Sequence, residues 1–160
     1  FAGHGLFHPK MNRGALCLCD ENGMVDFISG EDFATCIGSG IRTTRLVILN
    51  ACKTAYSGEQ PFSDVSSTLM LAGIPQVIAM RDLINDHAAL AFINTFYHQL
   101  IKGVQTEEAI AEARYSIKSA LPNKAEWSLP ILLGRTSLKL GQARQPARPA
   151  KLATSIGAQD

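Results

Sequence analysis

Two short apolar runs, Ala15 to Cys19 and Met24 to Ile28, are separated by Asp20-Glu21-Asn22-Gly23. The Asn-Gly pair supplies the positive φ that a tight hairpin requires, so this stretch predicts two strands joined by a turn. Ser29-Gly30 then leads into a short helix over Glu31 to Ile37, ended by Gly38 and Gly40. Arg45 to Leu49 is a continuous apolar, β-branched run, the pattern of a central parallel strand covered on both faces. Lys53 to Asp64 is polar, carries Gly58 and Pro61, and reads as a loop. Val65 to Ala72 reads as a helix stopped by Gly73, and Pro75 to Met80 as a second buried strand. Asp86 to Ile101 places Leu90, Ile93, Phe96, Tyr97 and Leu100 at helical spacing and ends before Gly103. Thr106 is expected to cap a further helix running to about Leu121, with Glu107 and Glu108 in its first turn. Leu129 to Leu133 is the last predicted strand.

Strands alternating with helices predict an α/β domain with a largely parallel sheet. Ligand chemistry in such sheets gathers at the carboxyl ends of the strands. From Gly141 onward the composition turns to Gln, Ala, Arg and Pro without periodicity, which sets residues 1–140 as the domain and 141–160 as an irregular or disordered tail. Phe1-Ala2-Gly3-His4 reads as the tail of a strand with no strand ahead of it, so the chain is expected to be part of a longer polypeptide.

Composition narrows the function classes. Of 160 residues, 46% are hydrophobic and 18% charged, which suits one domain with a real core. A formal net charge of +1, from 15 basic and 14 acidic residues, removes the main reason to expect direct nucleic-acid contact. No apolar run reaches the roughly 18 residues a membrane span needs, and the start lacks the basic and apolar regions of a signal peptide. Cys17 and Cys19 alternate along one strand and face one side of it; with no CxxC pair and no histidines at zinc-like spacing, the thiols read as reduced, in a cytoplasmic protein without a bound metal.

Two strings carry the chemistry: Phe1-Ala2-Gly3-His4-Gly5 and Leu49-Asn50-Ala51-Cys52-Lys53-Thr54-Ala55. Each sits where a buried strand would deliver it to a sheet edge. A thiol needs a base nearby to become a thiolate, and histidine is the usual base near neutral pH. His4 and Cys52 are far apart in sequence, so only a fold with neighbouring parallel strand ends brings them together.

These two strings, with Ala72-Gly73-Ile74-Pro75-Gln76-Val77-Ile78-Ala79, the residues Asp86, Ala89, Phe92, Phe96-Tyr97 and Leu100, then Ala109, Ala113-Arg114, Trp127, Pro130 and Leu133-Gly134, resemble the CHAT family. That family comprises caspase-like cysteine peptidases often fused to tetratricopeptide (TPR) repeats. The resemblance runs from Phe1 to Gly134 in order. It implies a caspase-like three-layer sandwich with a mostly parallel sheet, here without its N-terminal strands. It also implies an endopeptidase with Cys52 as nucleophile and His4 as its partner, and an oxyanion hole formed by the amides of Gly5 and Cys52. Such donors are typically worth about 3–4 kcal/mol each in the transition state. No cofactor is implied. Protein is the implied substrate, and an upstream repeat domain or regulatory protein the implied partner. The repeat-fused members are protease arms of larger, partner-activated bacterial effectors, some switched on by a CRISPR RNA-guided partner and others by different sensors.

The remaining residues divide more simply. Separase carries its basic-residue-selecting aspartate in the segment that Arg81-Asp82 occupies here, so Asp82, and after it Asp86, is the candidate acid of an S1 pocket, buried and pairing with a substrate Arg or Lys. Asp86 also suits a helix cap, and Asp82 a solvated loop. His8, beside Pro9, reads as a loop residue rather than a second base. Cys17, Cys19 and Cys36 read as structural, Trp127 as packing, and Phe92, Phe96 and Tyr97 as a core-facing stripe. Two other function classes keep the same residues: a catalytically silent caspase-like scaffold, and a different thiol hydrolase or acyl transferase. The Lys53 to Asp64 loop is expected to be mobile until the protein is activated.

Overall fold

The computed structural model describes residues 1–38, 40, 43–51 and 64–135. Strands β1 (His4–His8), β2 (Arg13–Cys19) and β3 (Val25–Ser29) form one antiparallel sheet in the order β1-β2-β3. A second sheet has the order β4-β5-β6, from Leu46–Ile48, Gln76–Met80 and Pro130–Gly134. Among the described residues four α-helices complete the α/β domain: α1 (Gly30–Ile37), α2 (Val65–Leu71), α3 (Asp86–Ile101) and α4 (Thr106–Ala120).

The predicted hairpin is β2-β3. Gly23 takes the turn at φ 75°, and the Asp20 carboxylate accepts from the amides of Asn22 and Met24, both at 2.8 Å. Ser29 caps α1 by accepting from the Asp32 amide at 3.1 Å, and Gly38 ends it at φ 53°. Asp64 caps α2, and Gly73 stops it at φ 107°. The remainder of the predicted loop, Lys53 to Ser63, lies outside the described residues.

All five residues of β5 are buried, because both faces of its sheet are covered. Ile78 and Met80 pack with Phe92 and Phe96 of α3 and Ala113 and Ile117 of α4. Val77 and Ala79, pointing the other way, pack with Val65 and Leu69 of α2, Leu16 of β2 and the apolar side of α1. The Phe92 and Phe96 rings stack at 5.5 Å.

Several expectations are corrected. The sheet is not largely parallel: β4 and β5 run parallel, but β6 is antiparallel to β5. Two helices separate β5 from β6, so the chain descends along α3, returns along α4 and re-enters at the carboxyl end of β5. In α3 the buried stripe is Ala88, Phe92, Phe96 and Leu100, at steps of four, while Leu90 and Tyr97 lie on the opposite side, 58% and 45% exposed. Gln105, not Thr106, is the N-cap of α4; the Thr106 hydroxyl is buried and donates instead to Gln76 Oε1 at 2.6 Å. His8 is the last residue of β1 rather than a loop residue. Trp127 is half-exposed in a 3-10 turn, Glu126–Ser128, rather than packed inside. Cys17, Cys19 and Cys36 are free thiols, and only Cys17 is sheltered enough to contribute packing.

Candidate functional site

Three backbone hydrogen bonds bring the two chemistry-bearing strings side by side. The Phe1 nitrogen donates to the Ile48 carbonyl at 2.9 Å, the Asn50 amide to the Phe1 carbonyl at 2.9 Å, and the Gly3 amide to the Asn50 carbonyl at 3.2 Å. Ala2 and Asn50 thereby form a parallel bridge. The sequence folds this way because Leu46 to Leu49 is apolar enough to sit between two helical layers. The Phe1 ring reinforces it, packing edge-on against Phe33 of α1 at 6.1 Å. Gly3 leaves room for that ring: a Cβ there would come within 2.8 Å of its tip.

His4 follows at once, exposed, at the point where the chain leaves this parallel edge and enters β1. It stands opposite Cys17 in the β1-β2 ladder, and Gly5 stands opposite Leu16. Burial pushes the Cys17 thiol up, so Cys17 stays a neutral neighbour rather than a competing thiolate. On the other string Asn50 is half-buried and Ala51 buried. Cys52 itself lies outside the described residues.

Asp82 lies on the turn between β5 and α3, and Asp86 is the first residue of α3, at the same carboxyl edge of the sheet as Asn50. Both are exposed. Asp82 Oδ1 accepts from the Leu83 amide at 2.8 Å, and the cap of α3 is Asn85, whose side chain accepts from the His87 amide at 2.9 Å. Next along this edge, the Arg81 amide donates to the Leu129 carbonyl at 3.0 Å, and the Arg114 guanidinium donates twice to the Pro130 carbonyl. Half-burial draws the Arg114 pKa below its ordinary value, yet these bonds use the cation to brace the entry to β6.

A cleft of about 500 Å³ opens beside Phe1, Arg45, Leu46, Ile48, Tyr97 and Leu100, along β4. Among the described residues no group of three or more His, Cys, Asp or Glu side chains is arranged to hold a metal ion, and no helix is long and apolar enough to cross a membrane.

Sequence reasoning missed one feature of this region, the ring of Phe27 lying against His8 with centroids 5.1 Å apart. The signal was present, since Val25 and Phe27 alternate onto the face that also carries Cys17 and His4.

The family model described as the CHAT domain matches residues 1–135, which takes in every described strand and helix. Among curated proteins none matches the chain.

Proposed function

The chain belongs to the CHAT-domain family, and from that membership we propose that it is a caspase-like cysteine endopeptidase in which Cys52 is the nucleophile and His4 its acid–base partner. The observation that carries this reading is the register of the parallel edge. Ala2 lies opposite Asn50, and His4 and Cys52 each stand two residues further along their strings. The register of the neighbouring pair supports the pocket acid in the same way: Ile48 lies opposite Ile78, and Cys52 and Asp82 each stand four residues further on. Adjacent strands are about 4.8 Å apart, so side chains from neighbouring strand ends can come within hydrogen-bond reach of one another.

In this reading the Cys52 sulfur attacks the scissile carbonyl, with the developing oxyanion received by the amides of Gly5 and Cys52. His4 takes the thiol proton and delivers it to the leaving amine as the C–N bond breaks. Water, polarised by His4, then hydrolyses the thioester and regenerates the thiol. Asp82, with Asp86 beyond it, would favour Arg or Lys on the acyl side of the bond; their exposure means that any burial of that pair comes from the substrate. Residues 1–140 would belong to the peptidase domain, with 141–160 a tail. We place the domain as the protease arm of a larger TPR-containing, partner-activated bacterial effector acting in the cytoplasm.

Cleavage of a randomised peptide library by wild type, Cys52→Ala, His4→Ala and the double variant tests the reading. Each single variant should lose several orders of magnitude in kcat/KM, and the double variant little more, because the two groups act in one step. Turnover by Cys52→Ala near the wild-type rate would remove the assignment. Folded protein with no turnover in any form would favour a silent scaffold.

A further inference from the structure

His4, Cys17 and Phe27 stand in one cross-strand row, His4 opposite Cys17 in β1-β2 and Cys17 opposite Phe27 in β2-β3. Directly opposed residues of antiparallel strands project to the same face, so the candidate acid–base group shares its face with a half-buried thiol and an aromatic ring. Val25, two residues from Phe27 along β3 and opposite Cys19, extends that face. This patch is open: Val25 is 61% and Phe27 38% exposed. Its ring is also held in place. Phe27 lies 5.1 Å from the His8 ring, and His8 is fixed in turn because its Nδ1 accepts from the Met11 amide at 3.2 Å. Solvated apolar side chains on an edge strand are a liability that folds usually blunt, so a positioned one in line with a catalytic group calls for an occupant.

Building on the peptidase reading, we propose that Phe27, with Cys17 and Val25, forms a primed-side subsite that selects an apolar residue downstream of the scissile bond. The direction follows from the chemistry. The leaving nitrogen must meet His4 to receive its proton, so the chain beyond that nitrogen departs over the surface around His4. Two strand spacings of about 4.8 Å separate the His4 and Phe27 backbones, a span that about three residues of extended peptide cover. The side chain over Phe27 therefore belongs to the second or third residue of the leaving segment. Cys17, uncharged and half-sheltered, is the floor between them.

The test uses quenched peptides sharing one acyl side and differing at the second and third leaving-side residues, with an aminocoumarin amide of the same acyl side carrying no peptide beyond the bond. Wild type should favour Leu or Phe over Asp at one of those positions by about tenfold in kcat/KM, the range one apolar contact commands. In Phe27→Ser the ratio of kcat/KM for the apolar peptide to that for the amide should fall about tenfold. Phe27→Leu should recover most of it. An unchanged ratio in Phe27→Ser, while both substrates are turned over through Cys52, overturns this subsite and leaves the peptidase reading standing. No turnover of either substrate, with Cys52 inert to a peptide electrophile, overturns both.

Discussion

Every residue of β5 is buried, whereas three of the five residues of β3 are exposed, and the two strands stand for two differently built halves of the molecule. The β4-β5-β6 sheet is enclosed by α3 and α4 on one face and by α1 and α2 on the other. The β1-β2-β3 sheet buries chiefly its middle, around Ala15, Leu16 and Ser29, and leaves its tip to water. The enclosed half fixes strand ends in register. The open half carries His4 and presents a surface beside it. On the proposed peptidase reading, a site shared between the two would combine positioned backbone with room for a polypeptide substrate.

The sharpest way to break that comparison is to open the enclosed half. Phe96→Ala removes one ring of the buried stacked pair and should cost about 3–5 kcal/mol by denaturant unfolding, while Phe27→Ser should change stability by only about 0.5 kcal/mol. Similar losses at the two sites would mean that the hairpin is as integral to the core as α3 is. A smaller effect is expected where the halves meet. A Cβ at Gly14 would lie 3.0 Å from the Val65 backbone nitrogen and 3.2 Å from Asp64 Cα, and neither can swing aside as a side chain tip could. Gly14→Ala should therefore cost about 1–3 kcal/mol, read from the same unfolding curve. A neutral outcome would show that the sheets can part at β2 without penalty.

The smallest effect concerns the hairpin turn. The Met24 amide, and after it that of Asn22, holds the Asp20 carboxyl below its ordinary pKa. A group depressed in the native state contributes stability above its unfolded pKa and loses it as pH falls through the native one. The turn should thus be intact at neutral pH and loosen only below the usual carboxylate range. An NMR titration following the Met24 and Asn22 amides checks this. Their shifts should move together at a midpoint below the usual carboxylate range, and a midpoint inside that range would contradict it.

Much of this architecture is legible in the residues. The Asn22-Gly23 turn, the run from Leu46 to Leu49 and the α3 span of Asp86 to Ile101 follow from local chemistry alone. What escaped depends on partners distant in sequence. Thr106 has the residue type of a cap, yet Gln76 captures its hydroxyl across the sheet. Leu90 and Tyr97 fit a helical period, but α4 and the sheet select the other side of α3. The direction of β6 was encoded in the count of helices before it, a topological fact rather than a propensity. At the site, the strings around His4 and Cys52 were conspicuous, whereas their shared register required the Ala2–Asn50 bridge to be seen. Phe27 was hidden because an aromatic residue in a hairpin ordinarily signals packing.

Activation of Cys52 by His4 is the centre of the peptidase reading, and competition among the four cysteines measures it directly. Cys19 and Cys36 are exposed free thiols, so they serve as internal standards for simple accessibility. A peptide acyloxymethyl ketone offered at neutral pH to the full chain, with its labelling sites mapped by mass spectrometry, should modify Cys52 first and by a wide margin. That preference should collapse in His4→Ala. Labelling spread over Cys19 and Cys36 at least as fast as over Cys52, or a Cys52 preference untouched by the loss of His4, would contradict it.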